Sequence, residues 1–133
     1  MGAPLTQAEV VAGVTTAIAA ATQALDDGRT DDIVATYCVD GTCEIPGRGT
    51  HVGHEALSAA YAGWAPTQPQ RHLVTNTLVT DWDDHQARAV SDLVFMLQGD
   101  RGWKVQLVGR YHDLLCHDAG TWRFHHRRAE FVQ

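Results

Sequence analysis

Two aspartates, Asp26 and Asp27, close a long alanine-rich segment, and their position draws the eye first. A carboxylate at the C-terminal end of a helix sits against the negative pole of the backbone dipole, where Lys or Arg is the favoured type. An acid there either faces water and merely ends the helix, or it has a partner. His72 opens the segment RHLVTN. Strand alternation puts His72, Val74, Asn76 and Leu78 on one face, and Leu73, Thr75, Thr77 and Val79 on the other. A histidine and an amide among apolar side chains read either as the wall of a half-polar pocket or as a core histidine satisfied by backbone. In VGRYHDLL, Gly109, Tyr111, Asp113 and Leu115 share a face, so Tyr111 and Asp113 are either pocket polarity or a surface cross-strand pair. In TWRFHHRRAEF, alternation groups Arg123, His125 and Arg127 against Trp122, Phe124, His126 and Arg128. Solvated charge is the usual meaning of such a run.

The eight histidines raise the question of a metal. His51-Val52-Gly53-His54-Glu55 gathers three donors, but it lacks the helical His-Glu-x-x-His spacing that puts two imidazoles on one face. His125 and His126, as strand neighbours, point to opposite faces and cannot hold one ion together. Cys38, Cys43 and Cys116 form an odd set without Cys-x-x-Cys spacing, and no local motif marks a cysteine nucleophile. The reading is of no metal centre, and of reduced thiols in a cytoplasmic protein.

The elements that must position these residues follow from periodicity. Thr6-Gln7-Ala8-Glu9 reads as a capping box. Val10, Val14, Ile18, Ala21 and Leu25 then recur at helical spacing until Gly28 supplies a left-handed cap. Thr30 caps a second helix, predicted over Asp31 to Cys38. Asp40-Gly41 reads as a turn, Thr42 to Ile45 as a short strand stopped by Pro46, and GRGTHVG (47–53) as a glycine-rich loop without a phosphate-binding fingerprint. A third helix spans His54 to Trp64. Beyond Pro69 the period becomes strand-like over Arg71–Thr80, Gln86–Leu97, Trp103–Cys116 and Thr121–Phe131, with turn residues in WDDH, QGDRG and HDAG between them. Three helices, one early strand and a four-strand meander predict an α+β fold with a largely antiparallel sheet.

Length and composition agree. At 133 residues the chain reads as a single domain over 1–133, with hydrophobic residues at 44% and charged residues at 20%, ordinary for a globular protein. No apolar run is read as reaching the roughly 18 residues of a membrane span, and no secretory signal is read at the N-terminus, so no membrane partner is expected. Net charge is -6 and no basic stripe occurs, which excludes nucleic acid as an expected partner.

The order of these elements resembles the SnoaL-like branch of the nuclear transport factor 2-like superfamily. The segments that carry the resemblance are ALDDGRTDDIVATYCVDGTCEIP (24–46), GTHVGHEAL (49–57), RHLVTN (71–76), and GRYHDLL with GTWRFHHR (109–127). It implies a cone-shaped α+β barrel of cystatin-like type, a curved sheet wrapped around a long helix with an apolar cavity between them, and homodimers through the sheet. Relatives of this type include scytalone dehydratase, hexachlorocyclohexane dehydrochlorinase and bile acid dehydratase. By matching motifs, their catalytic aspartate falls on Asp26, with a one-residue shift to Asp27 as the alternative, and their histidine on His72. An arginine of the last strand matches Arg127, a pocket aromatic matches Tyr111, Asp113 coincides with an acidic position, and Asn76 joins the set that orients substrate.

The resemblance thus implies that an Asp26–His72 base removes a proton from carbon, with Arg127 or Tyr111 receiving the leaving group. Elimination of the dehydratase type, isomerisation or cyclisation of a small apolar, aromatic or alicyclic substrate would need no cofactor. Departures narrow this reading. The dehydrochlorinase lysine is replaced by Ala21, and the steroid isomerases' strand aspartate and helix tyrosine by Ile45 and Thr22, which argues against those two chemistries. A non-catalytic ligand-binding or scaffold subunit is the other reading, because a fold does not dictate function.

Overall fold

In the computed structural model, described over residues 3–132, three helices pack on one six-stranded sheet. Helix α1 (Gln7–Asp26) is capped by Thr6, whose hydroxyl accepts the Glu9 backbone N–H at 3.2 Å. Its apolar stripe of Val10, Val14, Ile18, Ala21 and Ala24 is buried, and the helix ends where Gly28 turns left-handed at φ +69°. With Glu9 and Asp26 as its only charges, α1 is long and apolar enough by length and composition to cross a membrane, which corrects the expectation that no segment reaches that limit. Here its buried stripe belongs to the main core, with Tyr37, Leu57, Leu115 and Phe124.

Helix α2 is shorter than predicted. It covers Thr30–Ala35, begins on Arg29 without a side-chain cap, and gives way to strand β1 (Tyr37–Ile45). The chain leaves the helix early because the Thr36 carbonyl accepts the Phe124 backbone N–H at 2.8 Å, drawing Tyr37 into parallel pairing with the last strand. Asp40-Gly41 accordingly lies inside β1, where the pairing shifts register between Tyr37 and Thr42. The predicted loop 47–53 contains strand β2 (Gly49–Val52), antiparallel to β1. Helix α3 (Gly53–Gly63) follows.

The four meander strands are β3 (Gln70–Trp82), β4 (Gln86–Gly99), β5 (Gly102–Asp118) and β6 (Thr121–Val132). The sheet order is β2-β1-β6-β5-β4-β3, antiparallel except for the β1–β6 seam. Bulges reset which side chains face inward, and two of them bear on the expected site residues. One lies at Asn76 (φ +54°), between the pairs Thr75–Asp92 and Leu78–Val90; beyond it Thr77 turns toward buried Ser91, and the two hydroxyls lie 2.9 Å apart. The other skips His125, so that Phe124 and Arg127 both point into the core. Simple alternation from His72 or from Arg123 therefore fails past each bulge.

Candidate active site

The end of α1 and the start of β3 meet through one carboxylate. Asp26 Oδ1 lies 2.6 Å from His72 Nδ1, and its Oδ2 accepts the His72 backbone N–H at 2.8 Å. Gln70 Nε2 donates to Oδ1 at 3.2 Å. Three donors thus compensate an anion that the α1 dipole disfavours, and the Asp26 side chain is only 5% exposed. An ionised carboxylate only accepts, so it calls for a proton on Nδ1, and in the neutral imidazole Nε2 then keeps its lone pair. Stacking fixes the ring plane: Phe95, the cross-strand partner of His72, lies with its centroid 4.4 Å away at 23°.

His72 forms part of the wall of a cavity of about 370 Å³, within the range of small-molecule sites. Leu93, Phe95 and Leu97 of β4, Leu107 and Tyr111 of β5, and Ala129 and Phe131 of β6 make the sheet side. Leu25, Tyr61 and Trp64 close the helix side, and Ile45 at the end of β1 and residues 65–68 complete the lining. Tyr111 is 6% exposed, and its hydroxyl, without a partner among the described residues, opens into this space. Burial pushes its phenol up to about 12, so it stays protonated at neutral pH and can donate. The Tyr61 hydroxyl lies 2.7 Å from that of Tyr37 and 3.5 Å from Cys43 Sγ; burial holds both phenols well above their usual range. Arg48 brings a guanidinium to the cavity, 5.7 Å above the Trp64 ring.

The other expected site residues lie elsewhere. Asp27 faces water and pairs with Arg29 at 3.4 Å, so of the two neighbouring acids it is Asp26 that turns inward. Asn76 sits on the outside of the sheet and donates to Asp92 at 2.8 Å, because its bulge reverses the alternation. Arg127 and Asp113 face each other across β5 and β6 as a buried bidentate pair, Nε–Oδ1 2.8 Å and Nη2–Oδ2 3.0 Å. Neither forms part of the cavity wall. The guanidinium instead lies 3.7 Å from the Tyr111 ring centroid and 4.3 Å from that of Phe124. Burial would pull the Arg127 pKa down, but Asp113 outweighs it and the guanidinium is held above its ordinary value. The expectation that Arg127 and Asp113 touch substrate is thus corrected: as a pair they support Tyr111 from behind.

Sequence reasoning passed over Gln70 and Arg48, and it named Phe95 only among the aromatic residues whose packing sets the pocket volume. Gln70 was accessible, since it stands two residues before His72 on the same strand face. Phe95 and Arg48 depend on β3–β4 register and on a loop conformation, neither of which a single sequence specifies.

A family model for the SnoaL-like domain matches residues 6–128. The chain belongs to the SnoaL-like family. No curated protein matches this SnoaL-like chain. Solved structures do, at identities that speak for the fold alone. A protein of unknown function from Mycobacterium tuberculosis superposes with TM-score 0.89 at 24% identity, over 96% of this chain and 74% of the other. A nuclear transport factor 2-like protein with a cystatin-like fold from Novosphingobium aromaticivorans gives TM-score 0.84 at 18% identity, over 95% and 84%. A protein from the same organism named as a scytalone dehydratase gives 0.82 at 16%, over 93% and 85%. The fold class expected from the sequence, helices on a curved and mostly antiparallel cystatin-like sheet, is the one found.

Proposed function

We propose that this SnoaL-like chain is a cofactor-independent enzyme that removes a proton from carbon and then eliminates water, isomerises or cyclises a small apolar, aromatic or alicyclic substrate. The observation that carries this reading is the 2.6 Å contact between Asp26 and His72 at the wall of an apolar cavity. Asp26 fixes the tautomer, so His72 Nε2 is the base. In a dehydration, Nε2 takes the proton from the carbon beside an activating group. The C–O bond to the departing hydroxyl breaks, and the Tyr111 phenol protonates the hydroxide as it leaves. The imidazolium then returns its proton to the phenolate through the released water. Apolar walls exclude bulk water and strengthen each of these interactions.

The test is hydrogen exchange at carbon. The protein is incubated in deuterium oxide with a panel of cyclic ketones and β-hydroxy carbonyl compounds, and exchange and water loss are followed by NMR. His72→Ala should lower the rate by about 10²–10⁴ while the circular dichroism spectrum is unchanged. Full activity in that variant removes His72 as the base.

A homodimer through the outer face of the sheet belongs to the same proposal. Register places Leu73, Val94, Val108 and Val132 side by side across β3 to β6, and Leu73, Val108 and Val132 are exposed. Val108→Asp should shift the mass measured by light scattering from dimer to monomer; a wild-type mass of one chain rejects the dimer. The three free cysteines support a reducing, cytoplasmic compartment.

A further inference from the structure

On the face of the sheet away from the cavity, β1, β5 and β6 bring together three side chains that the proposed reaction does not use. The β6 bulge leaves His125 without a pairing partner, because Leu114 pairs with His126 and Leu115 with Phe124. Strand β1 is irregular opposite the same place, between Tyr37 and Thr42. A Cβ on Gly41 would lie only 2.9 Å from the Phe124 carbonyl oxygen and 3.0 Å from that of Cys38, so the bend needs glycine there. Together the two irregularities gather Cys38 Sγ, Cys116 Sγ and a His125 ring nitrogen within 4.8 Å of one another. Asp40 adds an oxygen, 3.8 Å from His125 Nδ1.

We propose that Cys38, Cys116 and His125 form a binding site for a thiophilic divalent cation of the zinc type, with the Asp40 carboxylate completing or orienting the set. Two sulfurs and one imidazole are the donors that favour this class over calcium or magnesium, which take oxygen. Zinc–sulfur and zinc–nitrogen bond lengths put tetrahedral donor atoms about 3.3–3.8 Å apart, so the observed cluster closes around an ion by roughly 1 Å of side-chain movement. The donors come from three adjacent strands of one sheet, which holds their spacing without the ion. The metal binds thiolate, so each thiol gives up its proton as its metal–sulfur bond forms. Two thiolates and Asp40 carry three negative charges against the ion's two positive ones, and the guanidinium of Arg123, whose charge acts on Cys38, balances the remainder. Such spacing is invisible in sequence, since it joins residues 38, 116 and 125 through a parallel seam and a bulge.

The experiment uses the reduced, chelator-treated full chain, titrated with Co2+ and then with Zn2+. One Co2+ per chain should bind with thiolate-to-cobalt absorption in the near ultraviolet and tetrahedral d–d bands, and Zn2+ should displace it. Calorimetry in buffers of different ionisation enthalpy should report about two protons released per Zn2+. Cys38→Ser, Cys116→Ser and His125→Ala should each weaken binding by about 100-fold or more, and Asp40→Asn by about tenfold. His72→Ala should bind like wild type, which keeps this site separate from the proposed base. No binding, binding without thiolate absorption as exposed histidines alone would give, or wild-type affinity in both cysteine variants overturns the proposal. The wild-type spectrum decides even if a variant folds poorly.

Discussion

Replacing Asp26 by Asn changes one oxygen to an amide nitrogen and should reverse the tautomer of His72. Oδ2 accepts a backbone N–H at 2.8 Å, and that donor can neither rotate nor lose its proton. The asparagine oxygen must therefore occupy the Oδ2 place, which aims its NH₂ at His72 Nδ1 and at Gln70. Gln70 can turn its amide and offer oxygen. His72 can respond only by giving up the Nδ1 proton and taking one on Nε2. Nε2 then donates into the cavity and has no lone pair with which to accept a proton. An asparagine in the corresponding place of a serine protease triad lowers turnover about 10⁴-fold by the same tautomer error, equivalent to about 5 kcal/mol of barrier. We expect a loss of that order in carbon–hydrogen exchange. Loss of the charge-assisted bonds should also cost about 1.5–3 kcal/mol of stability. Nitrogen-15 NMR of labelled imidazole reads the tautomer directly, with no substrate needed. An Nε2 that stays unprotonated in Asp26→Asn, or exchange within tenfold of wild type, refutes the argument.

Two further outcomes follow from the buried polar groups. Asp113→Ala leaves the Arg127 guanidinium, 5% exposed, without its counter-ion, and should cost about 3–5 kcal/mol in urea unfolding. Asp113→Leu with Arg127→Met should regain most of it, and a single-variant loss below about 1 kcal/mol would show the pair to be better solvated than its contacts imply. The buried phenols set an alkaline limit. An unfolded tyrosine releases its proton near 10.0, whereas folded Tyr111 holds it to about 12. Its contribution is complete below about pH 10 and is lost as pH rises to about 12, so stability should fall with pH across that window. Tyr111→Phe should flatten the fall in urea midpoints measured between about pH 10 and about pH 12.

Local signals in the sequence carried the long first helix, the third helix and the meander, because each rests on a period or cap confined to a few residues. Thr6 caps α1 and Gly28 ends it as their residue types require. The misplacements share one cause. Asn76, Arg127 and the early end of α2 were misread where a bulge or a distant strand overrides alternation or helical period: at Thr75–Leu78, at His125 and at the β1–β6 seam. Register between distant strands is a tertiary property, and one added residue reverses every later side chain. Asp113 was assigned to the correct face, but its partner came from beyond such a bulge. The inward turn of Asp26 rather than Asp27 needed the position of His72 in space.

Stacking of Phe95 on His72 makes the cavity wall unequal in what it can change. Leu93, Leu97, Leu107 and Phe131 shape the space without a ring contact to the histidine, so exchanging them for other apolar residues alters which ligands fit while the proposed base is undisturbed. Phe95 both bounds that space and holds the imidazole plane. A smaller residue there would admit a bulkier substrate and release the ring in the same step. For the proposed enzyme, substrate range can therefore drift freely over most of the wall, but enlargement beside the proposed base comes with a loss of aim.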